Sequence, residues 1–402
     1  MPKLVSFGYK NYDLVNKKRI AVCKSRSSNI TDGDATTSNF VRDLKLHKEG
    51  REILERIEKV ILQIVSSLSK DEAPVLVLPN RSSWDNIRFD SAIGLQMSSP
   101  CLVTTIRSSC PTTATRFAQI VRILSVIYTL VQSNSYATKR EIFYQHSQLF
   151  GSQRSVDRIV DDVSCMLEVP RRSLRVLATS KGLISGDLCY LEEDGTRIDC
   201  HSNSAAVAVS SNIAGIRNIV SCAKFILVVE KDATFQGLLQ DDLCTKLSPC
   251  IMITGKGFPD VNSRLMVRKL VDVLRVPTFI LVDADPHGIE IMCIYKYGSV
   301  AMSYEARSLT IPSVMWLGIL PSDLHRLQVP RDALIPLTKT DQQKLNSLLK
   351  RPYVAQQPEW LKEMELMQKS KYKAEIQSLA AIGPDFLSSI YLPNKLRYGG
   401  WV

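Results

Sequence analysis

Two stretches decide how this chain reads: Lys224-Phe225-Ile226-Leu227-Val228-Val229-Glu230, and Thr278-Phe279-Ile280-Leu281-Val282-Asp283-Ala284-Asp285-Pro286-His287-Gly288. Each is a continuous apolar run that stops at carboxylates. Between them lie a third apolar run, Cys250-Ile251-Met252-Ile253, and two segments of helix length. Short unbroken apolar runs suit strands buried on both faces, as in a parallel sheet. Such sheets collect ligands just beyond the carboxyl ends of their strands. Asp283 and Asp285 are two positions apart, so an extended strand would set both side chains on one side, roughly 6.5 Å apart along it. A single carboxylate at a strand end is ordinarily a turn residue or a helix cap. Glu230, Asp283 and Asp285 on two strands of one sheet would repel one another without a cation, and oxygen-only ligation favours a hard ion, Mg²⁺. The pattern points to metal-assisted chemistry on a phosphate.

The rest of the composition bounds the class. At 402 residues the chain exceeds one typical domain, and about two or three are expected. Its 51 Lys and Arg against 40 Asp and Glu give a net charge of +11, which favours a polyanion such as nucleic acid, although membrane surfaces attract the same sign. The ten cysteines form no C-x-x-C pair and no Cys/His cluster, which argues against structural zinc. Without a signal peptide they read as free thiols in a reducing compartment. The longest apolar stretch, around Ile120–Val131, carries Arg122 and Ser125, so no membrane span is expected. A soluble intracellular protein is anticipated.

Along the chain, residues 1–48 read as a flexible basic segment, with Lys17-Lys18-Arg19 a weak nuclear-import signal. Residues 49–110 hold a helix and an irregular stretch. In that helix Leu54, Ile57, Ile61, Ile64 and Leu68 follow 3-4 spacing, a seam that must dock on its own domain or on another subunit. Residues 111–200 begin with an apolar helix through Phe117–Val131. The capping box Thr138-Lys139-Arg140-Glu141 then opens a second helix. A third spans about Ser155–Leu167, followed by short strands at Val176–Ala178, Lys181–Ile184 and Leu188–Leu191. Three helices and a hairpin are the order of a winged helix, which grips duplex DNA. Residues 201–402 carry the α/β unit with the carboxylates, then helices broken by prolines. The fold class expected is α/β with α+β, having N-terminal helices and a mostly parallel sheet.

Tyr144 lies on the capped helix, with Arg140 one turn earlier on the same face. A phenol of pKa near 10 is a poor nucleophile unaided, and periodicity does not distinguish Tyr144 from Tyr128 or Tyr136. The motif set does. Arg140-x-x-x-Tyr144, Lys181-Gly182-Leu183, Val229-Glu230-Lys231-Asp232, Gly255-Lys256-Gly257-Phe258-Pro259 and Asp283-Ala284-Asp285-Pro286-His287-Gly288 together resemble the topoisomerase VI A-subunit family. Within it, the chain is most similar to the eukaryotic meiotic double-strand-break branch, over about residues 100–402.

The resemblance implies a winged-helix (CAP-like) domain and a C-terminal Toprim domain. It makes Tyr144 the group that attacks DNA, with Arg140 stabilising phosphate charge, Asp283 and Asp285 holding Mg²⁺, and Glu230 either completing the metal's shell or exchanging a proton with the 3′-oxygen. Many relatives carry two tyrosines in a row here, whereas this chain has Phe143 before Tyr144. Lys181, Arg171, Arg172, Lys256 and Phe258 are candidate DNA contacts, Arg175 lies beside them, and His287 is a candidate support for the metal ligands. The implied reaction is a transesterification leaving a 5′-phosphotyrosyl link and a 3′-hydroxyl, one strand per protomer of a homodimer. A topoisomerase-VI-B-like subunit, other meiotic recombination factors and double-stranded DNA are the implied partners, and the nucleus the implied location. The alternatives are a strand-passing type IIB topoisomerase component, a Toprim nuclease and a DNA-binding scaffold.

Overall fold

Helix α1, Asp32–Leu68, already departs from expectation, because its first turns reach back into the segment read as a flexible tail. The computed structural model describes residues 32–201, 205–247 and 249–402. Lys17-Lys18-Arg19 lies outside the described residues. The chain divides between Glu52 and Ile53, and Ile53–Val402 form a unit of their own that carries every candidate site residue.

In α1, Ile53 and Ile57 are buried, and Leu54, Val60, Ile61 and Ile64 lean on the same core. Much of the apolar seam is therefore turned into its own domain. Leu62, Val65 and Leu68 remain exposed. Two antiparallel strand pairs occupy the stretch expected to be irregular. Strand β1, Val75–Pro79, pairs with β4, Val103–Arg107, and between them β2, Ile87–Asp90, pairs with β3, Gly94–Met97. Their shortness and the turn residues around them hide the alternation, yet Leu76 and Leu78 face inward while Val75 and Val77 face out.

Helix α2, Pro111–Gln132, starts with proline in its first turn, where a missing N–H costs nothing. By length and composition it is apolar enough to cross a membrane. Its Ile120, Ile123, Leu124 and Ile127 are instead fully buried in a core shared with α1, β1, β4 and the next helices. Strand β5, Ala137–Thr138, leads into α3, Lys139–Gln145, through the expected capping box: Glu141 N donates to Thr138 Oγ1 (3.1 Å) and Thr138 N to Glu141 Oε2 (2.6 Å). Helix α4, Gln153–Met166, buries Val156, Ile159, Val160 and Val163 at helical spacing.

The three strands expected after α4 do not pair with one another. Strand β6, Val176–Leu177, pairs in parallel with β5. Strand β7, Leu183–Gly186, crosses to the large sheet, and β8, Cys189–Leu191, pairs with β9, Arg197–Asp199. Gly182 and Gly186 are points of close approach. A Cβ on Gly182 would lie 2.2 Å from Ser263 Oγ, and one on Gly186 (φ +114°) 2.2 Å from Cys250 O.

The next strands along the chain are β10 (Val207–Ala208), β11 (Arg217–Val220, paired with β8), β12 (Ile226–Val229), β13 (Ile251–Thr254), β14 (Thr278–Leu281) and β15 (Met315–Gly318). The six-stranded sheet runs β10-β7-β13-β12-β14-β15. Its β13-β12-β14-β15 portion is parallel, and β7 and β10 extend it antiparallel. Strands β12, β13 and β14 are buried at every position, as their sequences imply. Alternate residues enter opposite cores: Ile226 and Val228 one, Leu227 and Val229 the other. Helices α5 (Asp232–Gln240), α6 (Val261–Leu274) and α7 (Pro286–Tyr297) come after β12, β13 and β14 in turn. In register, Val229 aligns with Thr254 and Leu281, which brings the strand ends and their polar residues together.

Candidate active site

Glu230 sits where β12 stops, its N–H donating to Leu281 O (3.0 Å) and its Oε2 accepting the Asp283 N–H (2.8 Å). Asp283 Oδ1 accepts the Ile376 N–H (2.8 Å), and Oδ2 lies 2.7 Å from Lys231 Nζ. The same ammonium reaches Glu375 Oε2 at 3.2 Å. Glu230 and Asp283 are thus in direct contact, at 8 % and 4 % exposure. Burial, with the neighbouring Asp283 charge, pushes the Glu230 carboxyl up to about 8. Burial also raises Asp283, opposed by Lys231 and the Ile376 N–H.

Asp285 lies beyond the end of the strand, although its own backbone is still extended at φ −142° and ψ 165°. Strand β14 ends at Leu281, and Asp285 is the N-cap of α7, its Oδ1 accepting the Gly288 N–H at 2.6 Å. Among the described residues no three His, Cys, Asp or Glu side chains converge closely enough to chelate an ion as they stand. In kind, the donors fit a hard cation: they are all oxygens, and Lys231 already places a positive charge against Asp283. Gly288 keeps the cradle open, since a Cβ there would come 2.4 Å from Asp283 O and 3.0 Å from Glu230 Oε2.

The basic candidates divide. The Glu230 carbonyl accepts the Gly257 N–H (2.8 Å) and the Thr254 hydroxyl (3.3 Å), which hangs the Gly255–Gly257 loop on the carboxylate strand. Lys256, at φ +53°, points Nζ to Asp232 Oδ2 at 3.1 Å. Lys181 is exposed, its N–H donating to Asp260 Oδ2 (2.7 Å) and its Nζ to Lys256 O (3.2 Å). Lys181 and Lys256 therefore gather at the Glu230 end of the sheet, with the exposed Phe258 two residues past Lys256.

Arg172 is exposed, but Arg171 is not available as a surface phosphate contact. It is buried, with Nη1 3.2 Å from Asp161 Oδ1 and its backbone N–H on Glu305 Oε2 (3.2 Å). The turn after Pro170 is a 3₁₀ helix that directs its first side chain inward. Arg175 is likewise buried, 4.9 Å over the Tyr136 ring. His287 lies 3.9 Å from Asp341 Oδ1, so the carboxylate it faces is not one of the three.

On α3, the capping box anchors the start of the helix. Lys139 turns inward to Asp157 (3.1 Å), while Arg140 is exposed and Tyr144 is 73 % exposed. The Phe143 ring, packed on the core, sits 5.6 Å from the Tyr144 ring. Just past the helix, Arg122 Nε is 3.2 Å from His146 Nε2, and burial followed by the Arg122 charge lowers the His146 pKa. Sequence reasoning overlooked this pair, as it overlooked Lys231 and Glu375. Lys231 was visible beside Glu230, but no local pattern announces Glu375.

Sequence comparison gives this arrangement its class. The Toprim domain of the topoisomerase 6 A-subunit/Spo11 group matches residues 225–396, and the type IIB DNA topoisomerase profile matches residues 115–176. The chain is 62 % identical over 351 residues to the meiotic recombination protein SPO11 of Homo sapiens, covering 87 % of this chain and 89 % of that one. It is 58 % identical to the Mus musculus protein of the same name, with the same coverage. It is also 36 % identical over 378 residues to the DNA topoisomerase 6 A-subunit of Arabidopsis thaliana, 94 % of this chain and 87 % of that one. The chain belongs to the topoisomerase 6 A-subunit/Spo11 family.

Proposed function

We propose that this protein is a DNA transesterase that breaks both strands of a duplex to initiate meiotic recombination, with Tyr144 as the attacking group. The observation that carries this reading is the 73 % exposed Tyr144 on a firmly capped helix, in a chain whose sheet ends in the Glu230–Asp283 pair. The phenol gives up its proton to solvent as its oxygen forms a bond to phosphorus, and the bond from phosphorus to the 3′-oxygen breaks. One phosphodiester is exchanged for another, so no ATP is consumed. Arg140, one turn before Tyr144, stabilises charge on the phosphate. Glu230, whose carboxyl is pushed up to about 8 by burial and the Asp283 charge, can give the departing 3′-oxygen its proton. Asp283 and Asp285 would hold Mg²⁺, with Glu230 completing the shell when ionised, and the ion would supply Lewis-acid stabilisation of the charge that develops on the leaving group.

The unit built from α2, α3 and α4 serves as a winged-helix-type DNA grip. Arg172 beside that unit, and Lys181, Lys256 and Phe258 at the Glu230 end of the sheet, are the contacts with duplex DNA. Two strands need two tyrosines, hence a homodimer at cleavage, acting in the nucleus with other meiotic recombination factors. Isolation of DNA-linked protein from germ cells should yield a nucleotidyl peptide containing Tyr144. A linked peptide from elsewhere in the chain would reject the assignment.

The exposed Leu62, Val65 and Leu68 stripe of α1 fits a topoisomerase-VI-B-like subunit, because these residues repeat at three-residue spacing and leave the inward face undisturbed. Leu62→Arg with Leu68→Arg is expected to abolish co-purification with that subunit, since docking would bury unpaired charge, while shifting the melting temperature by no more than a degree or two. Undiminished co-purification would remove this surface from consideration. The 36 % identity to a topoisomerase 6 A-subunit over most of the chain supports a second reading, strand passage with resealing. ATP-dependent relaxation of supercoiled DNA by the chain with its B-type partner would favour it.

A further inference from the structure

We propose that Lys231 is the resident counter-cation of the carboxylate cluster, and that it is displaced from Asp283 and retained by Glu375 when a divalent ion takes its place. The inference rests on the Mg²⁺ reading above. Lys231 follows Glu230 directly and is the N-cap residue of α5, so its backbone is fixed at the lip of the site. Its ammonium lies between two carboxylates of different character. The Asp283 side chain is 5 % exposed and 2.7 Å away, and the Glu375 side chain is 55 % exposed and 3.2 Å away. The other Asp283 oxygen is already taken by the Ile376 N–H. Oδ2 is the Asp283 oxygen without a backbone donor, and a metal ligated through it competes with Lys231.

Glu375 is held where a receiver is needed. Ala284 and Ala374 exchange backbone hydrogen bonds at 2.9 and 3.1 Å, and Ile376 is tied to Asp283. These contacts place Glu375 between two anchored neighbours. Lys231 can leave Asp283 by side-chain rotation alone and keep one charged partner at the solvent edge. The cluster thus carries a positive charge both before and after the exchange, which limits repulsion among Glu230, Asp283 and Asp285.

Isothermal titration of Mg²⁺ into the metal-free full-length protein, without DNA, tests this directly. Lys231→Met removes the competitor and is expected to bind Mg²⁺ roughly tenfold tighter, as for loss of a charge-assisted hydrogen bond to a buried carboxylate. Lys231→Arg keeps the charge with a fork that grips carboxylate more firmly and should bind more weakly than wild type. Glu375→Gln removes the receiver and should weaken binding by roughly threefold, the scale of a solvent-exposed pair. In the Lys231→Met background, Glu375→Gln should change nothing, because Glu375 acts only through the lysine. Equal Glu375→Gln effects in both backgrounds, or a Lys231→Met protein binding no tighter than wild type, would overturn the exchange. Failure of the Mg²⁺ reading itself looks different: wild type would show no saturable binding sensitive to Asp283→Asn, and both ideas would fall together. Thermal melts of each variant separate a misfolded protein from a changed affinity, and Lys231→Arg supplies an independent arm if Lys231→Met unfolds.

Discussion

Tyr144→Phe is expected to abolish covalent capture of DNA and strand breakage outright, with thermal stability and DNA affinity essentially those of the wild type. The substitution removes one oxygen from a side chain that is 73 % exposed. The ring that lies 5.6 Å from Phe143 is kept, so the stability change should stay within about 0.5 kcal/mol, as for other surface replacements. The helix is anchored independently by the Thr138–Glu141 capping box and by Lys139 on Asp157, neither of which involves the phenol. Loss of the nucleophile should thus be complete without loss of the scaffold. The readout is protein covalently attached to oligonucleotide after denaturation. Retained attachment in the mutant, mapped to another residue such as Tyr136, would end the role assigned to Tyr144.

Mixed dimers should convert double-strand breakage into nicking. The tyrosine and the carboxylates belong to different parts of the chain, so a site shared across the dimer would pair Tyr144 of one protomer with Glu230, Asp283 and Asp285 of the other. Asp285→Asn is the appropriate lesion, because Asp285 caps α7 through Oδ1 and asparagine caps a helix as well as aspartate does. The charge is lost while the helix start is kept. Tyr144→Phe and Asp285→Asn homodimers should both be inactive. A tethered dimer carrying one of each concentrates both lesions in one site and leaves the other intact, so single-strand nicks should appear without double-strand breaks. Sites built within one protomer would give no nick from that dimer, since each would carry one lesion. An absence of nicks, with an active tethered wild-type control, therefore rejects sharing.

The amino-acid sequence by itself determined several things about this protein. Phe225–Val229, Cys250–Ile253 and Thr278–Val282 had to be strands buried on two faces, because no exposed or half-exposed element tolerates unbroken apolar runs of that kind. Glu230 and Asp283 had to fall at one sheet end, since parallel strands of equal length in register finish together. The start of the Tyr144 helix was legible too, because a capping box closes within four residues. These features depend on short-range sterics and on the side-chain period, which a sequence displays directly. Partnership over long distances does not show in that way. Whether β7 would close a hairpin or cross to β13 depended on how closely Gly186 could approach Cys250. Arg171 looked like a basic surface residue until Asp161 and Glu305 were brought around it. The 3-4 pattern of α1 marked its apolar face, but only the fold decided that this face meets its own domain. Lys231 between Asp283 and Glu375 is the plainest case: the lysine and its first carboxylate were in view, but only the folded chain brings the second carboxylate within reach, because an ion pair is set by distance in space and carries no period along the chain.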